Sequence, residues 1–292
     1  GFVTDCFVVA FKLPNFFRRL FAEGAFNASF VPIFTATLEK DGKQEALKFA
    51  EEAFACLAIT LLIFVGLMEV FTPALIYTIA NGFTDDEMKF TLAVTLTRYT
   101  FPFILFISLV SLLAGILNSL GQFAATAAAP IILNICLITA LLFAANLMAT
   151  PAHTLAIAVS IAGVVQLIFL YRACYKAGYR VHIKMPRLTP KVKKLLLVMG
   201  PAALGAGVIQ LNLLLDMIIA SYLPDASMSY LYYADRLNQL PVGVIGVALG
   251  TVLLLPFLSR SIASGDEALV VKSQNQAIEM GLFFTIPAAV AF

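Results

Sequence analysis

Charge is what this sequence has least of. Asp, Glu, Lys and Arg make up 12% of the 292 residues, hydrophobic residues make up 61%, and the mean hydropathy is +0.94. A soluble domain carries about 25% charged residues. Half that share cannot cover a water-soluble globule of this size, so the bilayer is the expected solvent. The net charge of +2 excludes a bulk attraction for nucleic acid. Histidine is scarce, and neither His153 nor His182 has a partner at metal-ligand or acid–base spacing. Cys6, Cys56, Cys136 and Cys174 are scattered, mostly in apolar runs, which excludes a disulfide framework and a cysteine metal site. A P-loop, a Ser/His/Asp set and paired catalytic carboxylates are all missing, so an ATP-driven pump and a hydrolase lack support. Energy for any transport would come from an ion gradient or the membrane potential.

What the sequence has is long apolar runs. Spanning a hydrocarbon core of about 30 Å takes about 20 residues. Candidate spans lie at roughly 53–80, 91–117, 123–147, 152–171, 195–222, 228–258 and 271–292. The segment before them, 2–38, is apolar but interrupted by Lys12, Arg18, Arg19 and Glu23, with Pro14, Gly24 and Pro32 as places to bend. We read it as one broken span, which makes about eight. Continuous runs such as LAITLLIFVGL are not the alternating pattern of a membrane β-barrel. The expected fold is therefore all-α and polytopic. The chain opens at Gly1 without a methionine or a charged leader and stops at Phe292 inside an apolar run, which reads as a fragment cut at both ends.

Loop charge orients the spans. The loop at 172–194 holds Arg172, Lys176, Arg180, Lys184, Arg187, Lys191, Lys193 and Lys194 and no acid; the loop at 39–52 holds Lys40, Lys43 and Lys48. The segment 81–90 is acidic, with Asp85, Asp86 and Glu87 against Lys89, and the turn at 223–227 has Asp225 and no base. Loops 39–52, 118–122, 172–194 and 259–270 are expected in the cytoplasm, and 81–90, 148–151 and 223–227 outside.

An internal repeat is visible. Residues 8–35 align without gaps to 232–259, placing Ala10 on Ala234, Lys12 on Arg236, Leu13 on Leu237, Asn15 on Gln239, Pro32 on Pro256 and Thr35 on Ser259. Repeated halves with a site between them are a transporter architecture. The division is expected near 185, with 1–185 as a first lobe and 186–292 as the start of a second.

Charges inside the spans need a reason, because an ionisable group at the bilayer centre costs several kcal/mol unless paired or hydrated. Arg98 and Glu69 fit a structural or interfacial pair, and Arg19 shares a helix face with Glu23 four residues on. Lys12 and Arg18 on one broken span and Arg236 at the matching place in the second half point to a central cationic cavity. The arginine fork matches phosphate oxygens, so the expected occupant is an anion such as a diphosphate.

The runs FKLPNFFRRLFAEGAFNASFVPIF at Phe11–Phe34, GILNSLGQFAATAAAPIILN at Gly115–Asn134, QLNLLLDMIIASYL at Gln210–Leu223 and YYADRLNQLPVGVIGVALGTVLLLPFLSR at Tyr232–Arg260 resemble, in order, the MurJ/MviN family of lipid II flippases. The resemblance covers essentially the whole chain. It implies a two-lobe transporter of the MOP superfamily, related to MATE exporters, of which this chain would hold the second to the ninth of fourteen helices. It implies lipid II as substrate, moved across the bacterial inner membrane by alternating access, and no enzymatic step. By motif, Arg18 and Arg236 fall in the diphosphate-binding cavity with Lys12 beside them. Glu23, Asp5 and Asp235 fall among cavity and gate residues, and Asp216 on an acid linked to sodium, the one ion implied as bound or coupling. Membrane lipids are the other expected partners, and a monomer is the expected state. The alternatives are a drug or oligosaccharide-lipid exporter of the same superfamily, an intramembrane glycosyl- or phosphotransferase, for which Asp85, Asp86 and Glu87 are a poor set, and a non-transporting scaffold.

Cysteines placed at Lys184 and Asp85 should react with an impermeant thiol reagent from opposite sides of the membrane. Labelling of both from one side would overturn the span count.

Overall fold

With lipid as solvent, each spanning segment must satisfy its own backbone, and helices do so internally. The structure, a computed structural model, describes residues 1–19, 26–182, 184–241, 243 and 267–291, and among the described residues there is no strand. The helices are α1 (Phe2–Phe17), α2 (Asn27–Ile79), α3 (Glu87–Thr100), α4 (Pro102–Ser119), α5 (Phe123–Ala144), α6 (Pro151–Lys176), α7 (Pro190–Ser221), α8 (Ser227–Pro241) and α9 (Glu267–Ala291), with a 3-10 turn at Asn81–Phe83. They form two compact units, 1–228 and 229–292. The first takes in α7, which packs on α2 and on the 81–83 turn.

Among the described residues four helical stretches are long and apolar enough to cross a bilayer: Asn27–Ile79, Glu87–Ser119, Phe123–Ala144 and Pro151–Lys176. Pro190–Gly205 and Gln210–Ser221, bent by 49°, together make a fifth. Gly121 (φ +73°) and Ala226 (φ +75°) lie in turns close to where loops were expected. Of the expected span 228–258, residues 242 and 244–258 lie outside the described residues.

One expectation is corrected. Residues 39–52 are not an open loop: two helices meet there at a break at Gly42, and the residues on either side of it are helical. A straight 53-residue helix would be about 80 Å long, far more than the bilayer core. Gly42, with φ +82° and ψ 177°, breaks it in two. That backbone conformation is open to glycine and disfavoured for other residues. Lysines and acids occupy the stretch because it leaves the lipid, not because it lacks structure. A smaller difference falls at Phe101, where α3 hands over to α4 inside the expected span 91–117.

The first unit has two apolar cores. One holds Phe26, Phe30, Phe34 and Phe49 with Leu112, Leu113 and Ile116, and reaches Tyr179 and Val192 at the inner end. Phe26, Phe30 and Phe34 recur every four residues, so they share a helix face. Their rings stack with centroids 5.2 and 5.5 Å apart, and Phe49 lies 5.5 Å from Phe30. The other core joins Cys6, Val9 and Leu13 of α1 to Ile76, Phe83, Phe101 and Met217 towards the outer end. Helix α4 is central and packs on α2 and α6. Helix α5 packs one side on α6 and turns the other, with Ile131, Ile135, Ile138 and Leu142 exposed, to the expected lipid.

Gly163 of α6 permits the closest of these crossings: a Cβ there would lie 2.9 Å from Phe103 Cδ2 and 3.0 Å from Phe106 Cβ. Gly163→Ala should cost about 1–3 kcal/mol by overpacking. Gly66→Ala in α2, where a Cβ meets nothing within 4 Å, should be neutral or stabilise by about 0.5–1 kcal/mol. Thermal unfolding of the two variants in detergent should separate them in that order.

Candidate functional site

Asp5 stands in the first turn of α1, 1% exposed. Its Oδ2 accepts the backbone N–H of Ala226 at 2.6 Å. Ala226 is the described non-glycine residue at positive φ, 75°. Holding it there costs on the order of 1–3 kcal/mol, which a charge-assisted hydrogen bond can offset. Beside it, Lys89 near the start of α3 places Nζ 2.7 Å from Asp225 Oδ1 and 4.3 Å from the Phe83 ring centroid. Its carbonyl accepts the Cys6 thiol at 3.4 Å. Lys89 sits at that point because Asp86 caps the helix, accepting from the N–H groups of Met88 and Lys89. Next along, the Gly82 N–H donates to Ser221 Oγ at 3.1 Å, and the Tyr222 hydroxyl donates to Asn81 Oδ1 at 3.0 Å. A Cβ at Gly82 would lie 2.3 Å from the Ser221 carbonyl oxygen, so only glycine permits this approach. The acidic 81–90 segment and the 221–226 turn are thus zipped together at the outer end.

Further in, α1 carries the cations. Arg18 is half-buried, and its Nε donates to Asn15 Oδ1 at 3.2 Å, while Asn15 Nδ2 donates to the Phe11 carbonyl at 2.8 Å. Lys12 is half-buried on the same helix, and Arg19 is exposed. Both Lys12 and Arg18 make further polar or ring interactions. Glu23, expected as a gate residue and as the partner of Arg19, lies outside the described residues. In the second unit Asp235 and Arg236 are exposed on α8. Gln239 donates to Asp235 Oδ2 at 2.8 Å and accepts from Arg236 Nη1 at 3.3 Å, and the Arg236 guanidinium lies 4.9 Å from the Tyr232 ring centroid.

Two further expectations meet the structure here. Arg98 and Glu69 are neighbours, but Arg98 Nε donates at 3.2 Å to the Glu69 backbone carbonyl, and no ion pair forms between the two side chains. Asp216, expected to fall on an acid linked to sodium, is exposed. The reason is helical phase: Gln210 and Met217 face the packing side of α7, and Asp216 is turned from Met217 by about 100°. Among the described residues no three His, Cys, Asp or Glu side chains could hold a metal ion.

The inner end has its own clamp. Glu51 of α2 is buried and accepts from the backbone N–H of His182 at 2.9 Å, lies 2.8 Å from His182 Nδ1, and pairs with Lys184. Thr189 donates to Glu52 Oε2 at 2.7 Å, and Lys191 pairs with Asp41 at 2.8 Å. Burial alone would raise the Glu51 carboxyl, but the bonds from Lys184 and His182 outweigh it and hold it below the ordinary carboxylate range. The clamp therefore holds at neutral pH and is lost as pH falls through that lowered value.

A sequence model of the family described as lipid II flippase MurJ matches residues 1–292. The chain belongs to the lipid II flippase MurJ family. It is 46% identical to a probable lipid II flippase MurJ of Rhizobium tropici over all of this chain and 55% of that protein. It is 36% identical to lipid II flippase MurJ of Burkholderia cenocepacia over 99% of this chain and 56% of that protein. Among solved structures it is similar to lipid II flippase MurJ in an inward closed conformation, with a TM-score of 0.77 and 27% identity over 99% of this chain and 58% of the other. It therefore spans about half the length of the MurJ relatives it matches. Its multi-pass, membrane-embedded helical fold is that of the family.

The outer zipper was not foreseen. Its signal was present: the outer segments 81–90 and 223–227 each offer a partner of opposite sign, Lys89 and Asp225. Removing Asp225 strands a side chain that is 9% exposed, so Asp225→Ala should cost about 1–3 kcal/mol. Lys89→Met on top of it should restore part of that. A double-mutant cycle by thermal unfolding should give a coupling of at least about 0.5 kcal/mol; strict additivity would mean the pair holds nothing together.

Proposed function

We propose that this chain works within a lipid II flippase that carries a lipid-linked peptidoglycan precursor across the bacterial inner membrane by alternating access. The observation that carries the reading is the match to the lipid II flippase MurJ family along the full chain. The proposed organisation is a first lobe of 1–185 and the start of a second at 186–292. Arg18, Arg236 and Lys12 hold the diphosphate, and Asp5, Glu23 and Asp235 serve the cavity and its gates. Lipid II and membrane lipids are the partners, and the working unit is a monomer.

The physics is that of moving a dianion through a medium of low dielectric. Its desolvation blocks passage unless fixed counter-charge is supplied on the way. Arginine keeps its proton in such a cavity and offers two parallel donors, whereas lysine keeps only a point charge and deprotonates more readily when dry. Sodium as a coupling ion would need several oxygen ligands. Asp216 supplies one carboxylate on an exposed face, so the described residues do not complete such a site and no step is routed through it.

In the intact protein at matched expression, Arg18→Ala and Arg236→Ala should each lower lipid II translocation at least tenfold while membrane insertion persists. Arg18→Lys should fall between wild type and alanine, and Arg19→Ala should matter less. Full activity of either Arg18→Ala or Arg236→Ala would sink the diphosphate mechanism.

A further inference from the structure

The basic loop between α6 and α7 divides into two kinds of cation. Lys184 and Lys191 are paired with Glu51 and Asp41. Arg187, Lys193 and Lys194 are exposed, and no described carboxylate lies within ion-pair distance of them. Between and beside them stand two apolar side chains with no cover, Met185 at 84% exposure and Leu188 at 62%. The segment is not a loose tether. Thr189 is bonded to Glu52, and the Arg187 carbonyl accepts the Cys56 thiol at 3.6 Å. The backbone is thus pinned from α2 while Met185, Arg187 and Leu188 are turned outward. Lys193 and Lys194 lie in the first turn of α7, where the helix dipole disfavours cations and an external anion would relieve them.

We infer that residues 185–194 form a docking surface for the anionic phospholipid leaflet at the cytoplasmic face. Arg187, Lys193 and Lys194 bind headgroup phosphates, and Met185 and Leu188 insert among the upper acyl carbons. The occupant follows from position and chemistry. Lys176 ends a membrane span and Pro190 opens the next helix, so the segment between them lies at headgroup level. Apolar side chains flanked by unpaired cations fit an interface that is oily on one side and negatively charged on the other. A soluble acidic partner would match the cations and leave Met185 and Leu188 unexplained. This surface is separate from the diphosphate cavity and rests on the topology alone.

The test uses the intact protein carrying Met185→Cys labelled with an environment-sensitive fluorophore, in nanodiscs of phosphatidylcholine and phosphatidylglycerol. Nitroxide-bearing phosphatidylglycerol should quench the label more than nitroxide-bearing phosphatidylcholine at the same mole fraction. The enrichment should be roughly fivefold for each cation engaged. Arg187→Ala/Lys193→Ala/Lys194→Ala should bring the ratio close to one, and Arg187→Lys/Lys193→Arg/Lys194→Arg should keep it. Glycerol phosphate added to the bulk should leave it unchanged. Three results would overturn the inference: no quenching by either lipid, a ratio that survives removal of the three cations, or loss of the ratio to free glycerol phosphate, which would make the ligand a soluble phosphate.

Discussion

A buried carboxylate that must find a donor organises the outer end of this molecule. Asp5 is almost without solvent, and the N–H it accepts is that of Ala226, in the turn between α7 and α8. Through that one bond the start of α1 is tied to a turn more than two hundred residues away in sequence. Lys89 with Asp225, Gly82 with Ser221 and Asn81 with Tyr222 line up beside it. An unpaired acid or ammonium buried here would cost several kcal/mol, so these groups either stay joined or separate together into water.

The two ends of the first unit are built from different materials. Towards the inner end, stacked phenylalanines and leucines gain from dispersion and lose contact steeply with any separation. At the outer end an apolar core that takes in Met217, Ala220 and Met228 lies beside a seam of single hydrogen bonds and one ion pair, whose groups water can satisfy equally well. Contacts of that kind exchange for hydration at small net cost. In the proposed flippase, a polar seam of this kind is the contact that would part and re-form. The inner clamp of Glu51 and Glu52 on the 182–191 loop adds a fixed point from which α7 enters the membrane.

Much of the fold was legible because the bilayer leaves few choices. Apolar run length gave the helices, and charge alternation gave the loop order. What could not be read was how charged segments fold outside lipid. Residues 39–52 look like a loop by composition, yet Gly42 alone interrupts the helix there. The nearness of Arg98 to Glu69 was readable, but the contact made is to the Glu69 backbone carbonyl and not to its carboxylate. The exposure of Asp216 was not, because a span uniformly rich in leucine hides its helical phase. The cations Lys12 and Arg18 stood out against apolar surroundings. The zipper did not, because Lys89, Asp225 and Ser221 are ordinary residues for an outer loop, and only their proximity gives them a role.

In the proposed flippase, the seam between 81–89 and 221–226 parts during each transport cycle. That parting is tested most directly by tying the seam shut. Asn81→Cys and Tyr222→Cys, at positions whose side chains are hydrogen-bonded, can be joined by a short reducible bifunctional thiol reagent in a cysteine-free version of the intact protein. Lipid II translocation should stop on cross-linking, return on reduction, and persist in each single-cysteine control. Translocation at the uncross-linked rate with the seam tied shut would contradict the account.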